Sequence, residues 1–325
     1  MIRFLLRRLG FFIFTLFLTS VLIFALTRVL PGDVARVLLG REASEAEVAA
    51  VRTELGLDKP LLAQYVEWSA DFLSGNLGQT FSRPRQEIGP LLATRLLNSG
   101  RLALLTLIIS VPLSIGLGLL AGLTEGRLPD SIISVLTLSV ASLPEFVTGL
   151  FLINAVALAW ASNPISRATG WWFPSSSAIR PEATFSEALP ALWLPAITAT
   201  LVLMAYIVRL TRAGVIEELK RDYVTTAVLK GLPYRTVVVK HVLRNALIPT
   251  ITVIATSTGW LLSGLVVIEY VYSYPGIGRL LIFGIENRDL PLIQAVVMVT
   301  VLVILVANFT ADILYAVLNP RISLS

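Results

Sequence analysis

The sequence predicts an all-α membrane protein with six transmembrane helices. Three observations carry that prediction. Of 325 residues, 55% are hydrophobic and only 14% are charged, against roughly 25% charged in an ordinary soluble domain. Apolar stretches long enough to cross a bilayer, which takes about 20 residues, recur along the whole chain. Lysine and arginine are spread unevenly over the segments that join them.

The first stretch is Leu9 to Thr27, preceded by Arg3, Arg7 and Arg8. It is long for a signal-peptide core and no clear small-x-small cleavage site follows, so it reads as a retained span. The second is Leu102 to Thr124. The third lies within Ser131 to Ser166, which is free of charge except for Glu145. The fourth is Ala188 to Val208, the fifth Asn245 to Ile268 and the sixth Leu290 to Ala311. Six crossings return both termini to the same side. Arg209, Arg212, Lys220, Arg221, Lys230, Arg235, Lys240 and Arg244 crowd one loop, while the two short loops assigned to the other side hold Arg167, Arg180, Arg279 and Arg288. The positive-inside rule then makes the crowded loop and both termini cytoplasmic.

Three regions follow. Residues 1–30 are the N-terminus and first span, 31–100 an extracytoplasmic helical insertion, and 101–325 the core with five spans and the loop 209–249. In the insertion, Ser44-x-x-Glu47 reads as a capping box, with Val48, Val51 and Leu55 at helical spacing and Gly56 closing the helix. Asp58-Lys59-Pro60 opens a second helix with Leu61, Leu62, Tyr65, Trp68 and Phe72 on one stripe, ended by Gly75 and Gly78. Segment 162–187 carries proline breakers and reads as an outer loop. In it Trp171 and Trp172, beside Phe173, would anchor the interface. Pro275, Gly276, Gly278 and Pro291 mark a short outer helix or re-entrant turn ahead of the sixth span.

The stretch DYVTTAVLKGLPYRTVVVKHVLRNALIP, 222 to 249, is polar and cationic between apolar runs. Glu217 and Glu218 are placed near the start of a helical run that passes Tyr223, Ala227 and Leu229 and stops at Lys230-Gly231, with Gly231 as a left-handed cap. Pro233 suits the first turn of a second helix. That helix is expected to end in the cations Lys240, His241 and Arg244, with Pro249 just inside the fifth span. Small residues at Thr225, Thr226, Ala227 and Gly231 leave room for another protein's backbone. The expectation is a docking knob joined rigidly to the fourth and fifth spans. A solvated cationic loop that only fixes topology fits the same pattern.

Other chemistry is narrowed by composition. There is no cysteine and one histidine, so no disulfide, thiolate metal site or catalytic constellation is expected. No G-x-x-x-x-G-K-[ST] phosphate loop is present, so the chain is not expected to bind ATP. His241 reads as a helix-end hydrogen-bonding residue ahead of a pH sensor. Glu145, after Pro144, has two readings: a pathway carboxylate that attracts cationic groups, or a residue in an extramembrane turn or paired with an arginine. The second is the expectation.

The 222–249 stretch resembles the cytoplasmic EAA loop of ATP-binding-cassette importer permeases, and more closely the dipeptide, oligopeptide and nickel permease family of bacteria. The residues that match are Asp222, Tyr223, Val224, Thr226, Ala227, Lys230, Gly231 and Leu232, then His241 and Leu243 to Pro249 with Arg244 and Asn245 among them. LPGDVARVLLG (30 to 40), GLDKPLLAQYVEW (56 to 68), YSYPGIGRLL (272 to 281) and NRDLPLIQ (287 to 294) resemble the same family. Thr225 and Thr226 stand where the general motif has glutamate and alanine, and Arg244 where it has proline.

The resemblance implies a six-span permease fold that forms the translocation path. It implies a coupling helix, with Asp222, Tyr223, Thr225, Thr226, Ala227, Lys230, Gly231, Leu232 and Pro233 as ATPase contacts and His241, Arg244, Asn245 and Pro249 at the junction with the span. It implies a homologous second permease chain, two cytosolic ATPases that hold ATP and magnesium, and an extracytoplasmic substrate-binding protein, in a bacterial inner membrane. No cofactor, metal or nucleic acid is expected on this chain. The cargo is expected to be di- or oligopeptides, with nickel or glutathione as alternatives in the same architecture. A self-contained secondary transporter would show several buried charges along its spans and no docking loop, and a membrane enzyme would show clustered His, Asp or Glu at one face. Neither pattern is read here.

Overall fold

A computed structural model describes residues 2–29, 36, 39, 43–54, 56–161, 173–180, 183–262 and 265–318. The expectations for 30–35, Leu55 and 162–172, Arg167, Trp171 and Trp172 among them, fall outside these residues.

Helix α1 spans Ile2–Val29. The insertion supplies α2, Glu45–Glu54, and α3, Leu61–Ser74. Next come α4, Ile88–Leu123, and α5, Leu128–Ala141. Helix α6, Glu145–Leu152, runs on through a π-helical turn, Ile153–Leu158, to Ala159–Ala161. Helix α7 is Phe185–Leu219 and α8 is Asp222–Leu229. Helix α9 is one rod: Tyr234–Thr236, a π-helical stretch Val237–Val242, and Leu243–Leu262. Short helices α10, Val266–Val271, and α11, Ile277–Glu286, precede α12, Leu290–Leu318. The described residues hold no strand beyond one isolated bridge, Gln79 with Glu87. A bilayer leaves a spanning backbone little else, because only helices and closed barrels satisfy their own amides there.

Among the described residues five helices are long and apolar enough to cross a membrane, and α5 with α6 form a pair bent by 103°. Packing shows what the bent pair does. Helices α4 and α7 run side by side in the same direction: Arg101 of α4 donates to Ala183 ahead of α7, and Gly118 near the far end of α4 lies against Val208 and Thr211 of α7. Two neighbouring spans that point the same way require the chain between them to cross back. Residues 124–184 must therefore recross, and among the described residues α5 and α6 are the helices there, so the pair belongs to the third crossing and is broken. The sequence placed this span within Ser131 to Ser166; the pair begins earlier, at Leu128, and breaks just before Glu145. Pro144, with no amide hydrogen to give, ends the helical register at the bend.

The remaining directions follow from contacts. Thr211 of α7 faces Thr250 of α9 at 3.3 Å. Gln294 at the start of α12 donates to Thr27 at the end of α1, and Arg8 pairs with Asp312 at the opposite end. Both described termini sit at the end that carries α8, here the knob end. The other is the insertion end.

Helix α4 begins well before the predicted second span and shows no break at residue 101. Its first turns find apolar partners of their own: Ile88 and Leu92 are buried with Ile277, Leu280 and Leu292. A second core fills the middle of the bundle, with Leu102, Leu192, Ala199, Leu261, Ile268 and Tyr272 at its centre.

The insertion's helix ends follow the sequence, but the expected stripe divides: Leu61 and Leu62 are exposed, 64% and 75%, while Tyr65, Trp68 and Phe72 turn inward. Ser44 N donates to Glu47 at 2.8 Å and Glu47 N donates back to Ser44 Oγ at 3.3 Å. The Ser44 hydroxyl, then its amide, hold the Glu47 carboxyl below its ordinary range. Helix α3 stops at Gly75 in the left-handed conformation. Its aromatic stripe packs on α1: Phe24 meets Tyr65 and Trp68, and Trp68 meets Phe72. A second attachment was not read from the sequence. Fully buried Asp289 accepts from the amides of Phe81 and Ser82 at 2.8 and 2.9 Å and from Ser82 Oγ at 2.8 Å. Hydrogen bonds to a charged group contribute about 1.5–3 kcal/mol each. Asp289→Ala should lower the melting temperature and open the exposed Arg85 to trypsin, Arg83 being protected by the proline that follows it. An unchanged digestion pattern would show that Asp289 does not hold the 79–87 turn.

Candidate functional site

The knob is a corner of three helices. Helix α7 ends at Leu219, the chain turns through Lys220 and Arg221, and α8 begins at Asp222. Glu217 and Glu218 thus belong to the end of α7 and not to the start of the knob helix. Acids oppose the negative helix end there, and local partners hold them: Tyr223 Oη donates to Glu218 at 2.5 Å, and Arg221 pairs with Glu217 at 2.7 Å. No glycine or proline marks this turn. Gly231 does adopt the left-handed conformation, φ 74°, that its position after α8 suggested. Pro233 stands just before Tyr234, one place earlier than expected. Helix α9 does not stop at Lys240, His241 and Arg244. Buried Val237, Val238, Val242 and Ala246 carry one apolar face through the π-helical stretch into the span.

Three elements share one small core. Val215 from α7, Val224 and Ala227 from α8, and Val237, Val242 and Ala246 from α9 pack together. A displacement of α8 therefore acts on two membrane helices through close-packed side chains. Asp222, Thr225, Thr226, Lys230, Gly231, Leu232 and Pro233 are exposed. Two of the expected contact residues turn partly inward. Ala227 is buried in the shared core, 7% exposed. Tyr223 is half-buried, and its hydroxyl lies between Glu218 and Asn245, whose Nδ2 donates at 3.2 Å. Burial, then the Glu218 carboxylate, push that hydroxyl's pKa up, so it stays protonated. His241, Arg244 and Pro249 are exposed, and among the described residues His241 does not make the expected backbone hydrogen bond. Reading periodicity assigned Leu229 to a helical run without seeing its face. The structure leaves Leu229 82% and Tyr234 58% exposed, with Val228 beside them, so the knob presents an apolar tip ringed by polar groups.

The broken span is the second part of the site. Fourteen residues of α5 rise about 21 Å from the knob end to the bend at 142–144. Glu145 opens α6 there. It is half-buried and has no hydrogen bond or ion pair among the described residues, so the expected pairing with an arginine is not made. Helix α6 is held from behind: Tyr272 Oη donates to Gly149 O at 3.1 Å and lies 2.8 Å from Thr198 Oγ1.

The foot of the same span is clamped by an ion pair that no spacing reveals. Asp130 accepts from Arg212 Nε at 2.5 Å and Nη2 at 2.8 Å, and from Gly126 N at 2.9 Å. The carboxylate is almost fully buried while the guanidinium is one-third exposed. This bidentate fork ties α5 to α7 two turns above the knob. A further buried carboxylate, Glu269, accepts from Ser99 Oγ at 2.6 Å and from the amides of Gly278 and Arg279 at the start of α11. With Tyr274 Oη donating to Asn98 O at 2.7 Å, it fixes the 272–279 corner to α4. Its signal was faint: one acid at the end of an apolar run, before a tyrosine-proline-glycine turn. Among the described residues no cluster of His, Asp or Glu is arranged to hold a metal.

Residues 114–324 match the family described as binding-protein-dependent transport system inner membrane component, and residues 1–95 match its N-terminal companion. The chain belongs to this family. It is a permease component of the bacterial inner membrane. It is 35% identical over 333 residues to a di/tripeptide transport system permease protein of Pseudomonas aeruginosa. It is 34% identical over 322 residues to a glutathione transport system permease protein of Shigella flexneri, and 34% over 336 residues to a dipeptide transport system permease protein of Escherichia coli. Each match covers 99% of both chains.

Losing a charge-assisted hydrogen bond costs about 1.5–3 kcal/mol, and the Arg212 left behind is one-third exposed and can turn to water. Asp130→Ala should therefore destabilise the chain by an amount of that order. Asp130→Arg combined with Arg212→Asp should recover part of the loss seen with Asp130→Arg alone. A double-mutant cycle with no coupling would remove the clamp from the account.

Proposed function

We propose that this chain forms the translocation path of an ATP-driven importer for di- and oligopeptides, and that its knob docks a separate cytosolic ATPase. The observation that carries the proposal is the knob itself: an exposed apolar tip at Val228, Leu229 and Tyr234 on a base that shares its core with α7 and α9. Two ATPases, a homologous second permease chain and an extracytoplasmic binding protein complete the assembly. ATP and magnesium stay on the ATPases. The knob end is then cytoplasmic, in keeping with its lysines and arginines. Closure of the ATPase pair biases the bundle between two arrangements by differential contact energy at the knob.

Peptide cargo is supported by the two peptide permeases among the relatives. The glutathione permease relative favours a second cargo, glutathione, in the same architecture. Glu145 belongs to the path in this proposal: a carboxylate without a protein partner at membrane depth suits a passing amino group.

Leu229→Asp should abolish co-purification of the ATPases while the permease pair stays assembled. ATPase recovery equal to that of the unmodified chain would remove the knob from docking. Glu145→Gln should raise the KM for cargo with a free amino terminus and leave the KM for amino-blocked cargo unchanged. Equal kinetics for both cargo types would deny Glu145 a place in the path.

A further inference from the structure

Helix α3 carries an apolar face that no described part of the chain covers. Leu62, Val66 and Leu73 are 75%, 57% and 81% exposed. With Ser69 they stand at i, i+4, i+7 and i+11, one stripe of a helix. The neighbouring stripe, Tyr65, Trp68 and Phe72, is the one that packs on α1. The opposite side is acidic, with Glu67 and Asp71, and Lys59 reaches Glu67 at 2.7 Å. Protein contact accounts for only part of the apolar arc.

The depth of the helix says what meets the rest. Tyr65 bonds Ser20 of α1 at 2.8 Å. Ser20 lies seven residues inside Thr27, where the crossing part of α1 ends, which is about 10 Å along the helix axis. Helix α3 thus lies against the spanning part of α1 and not beyond it. Between them is a crevice of about 480 Å³, lined by Ile13 and Phe17 of α1, Val66, Trp68 and Leu73 of α3, and Met298 of α12. Ile13 and Phe17 are themselves exposed on the outside of a membrane span. The uncovered stripe of α3 is therefore continuous with a surface that crosses the bilayer.

We infer that α3 is an interfacial helix that lies in the insertion-end leaflet, with Leu62, Val66 and Leu73 among acyl chains and a phospholipid chain in the crevice. Tyr65 and Trp68 are held inward against Phe24 of α1, and the Tyr65 hydroxyl finds its partner there in Ser20. Glu67 and Asp71 face water. The polar side is acidic, so the hold is by apolar burial and not by attraction to anionic headgroups. The bilayer thereby sets the height of the insertion above the path. The inference is independent of the knob and of the cargo.

The chain has no cysteine, so single cysteines placed in it can carry spin labels, with any cysteines of the partner chains replaced. The assembled importer is reconstituted in phosphatidylcholine bilayers and labelled in turn at Leu62→Cys, Val66→Cys, Leu73→Cys, Glu67→Cys and Asp71→Cys. Labels at 62, 66 and 73 should relax with oxygen and be shielded from a water-soluble nickel chelate. Labels at 67 and 71 should show the reverse, and adding anionic lipid should leave the pattern unchanged. Nickel access at 66 and 73 would overturn the inference by placing the stripe in water. Exclusion of both reagents there would overturn it by showing that a partner chain covers the stripe.

Discussion

The parallel packing of α4 against α7 is the constraint on which the rest of the structure depends. The two helices form the most extensive pair in the bundle, and they approach closely because Gly118 has no Cβ. An added Cβ would stand 2.6 Å from that of Thr211 and 2.8 Å from Val208 O. Since both helices run from the insertion end to the knob end, the chain between them has to recross. That crossing includes the broken pair α5 and α6, and Glu145 opens the second of them at the break. The same direction delivers the end of α7 to the knob, so one packing decision positions both functional parts.

The buried charges mark the joints between these parts. Asp130 with Arg212 joins the foot of the broken span to α7. Glu269 joins the corner before α11 to α4, and Asp289 joins the insertion to the start of α12. Each carboxylate accepts several hydrogen bonds, which a buried charge requires. None of the three stands unpaired, and in that they differ from Glu145.

Much of this was legible in the sequence, for physical reasons. Membrane spans announce themselves because a charge in hydrocarbon is costly, so charge-free windows mark them. The capping box at Ser44 and the left-handed Gly231 are local backbone chemistry, and local chemistry is written in adjacent residues. The turn at Lys220 and Arg221 was missed because ordinary residues make it with side-chain partners and no glycine. Nothing in the pattern placed Ala227 in the core, because a small residue suits an open contact and a crowded core equally well. Leu229 shows the converse, since an apolar residue in a helical run belongs to a core only if that face has a neighbour. The clamp between Asp130 and Arg212 joins residues 82 apart in sequence, and no period encodes such a pair.

The account's central claim is that α7, α8 and α9 move as one body because they share a core. The most direct test is transport per ATP hydrolysed by an assembled importer carrying Val237→Ala and Val242→Ala. These changes loosen the shared core and leave the exposed tip of the knob intact. The account predicts that the ATPases still dock and hydrolyse ATP while cargo moved per ATP falls. Undiminished cargo per ATP in a fully assembled complex would contradict it.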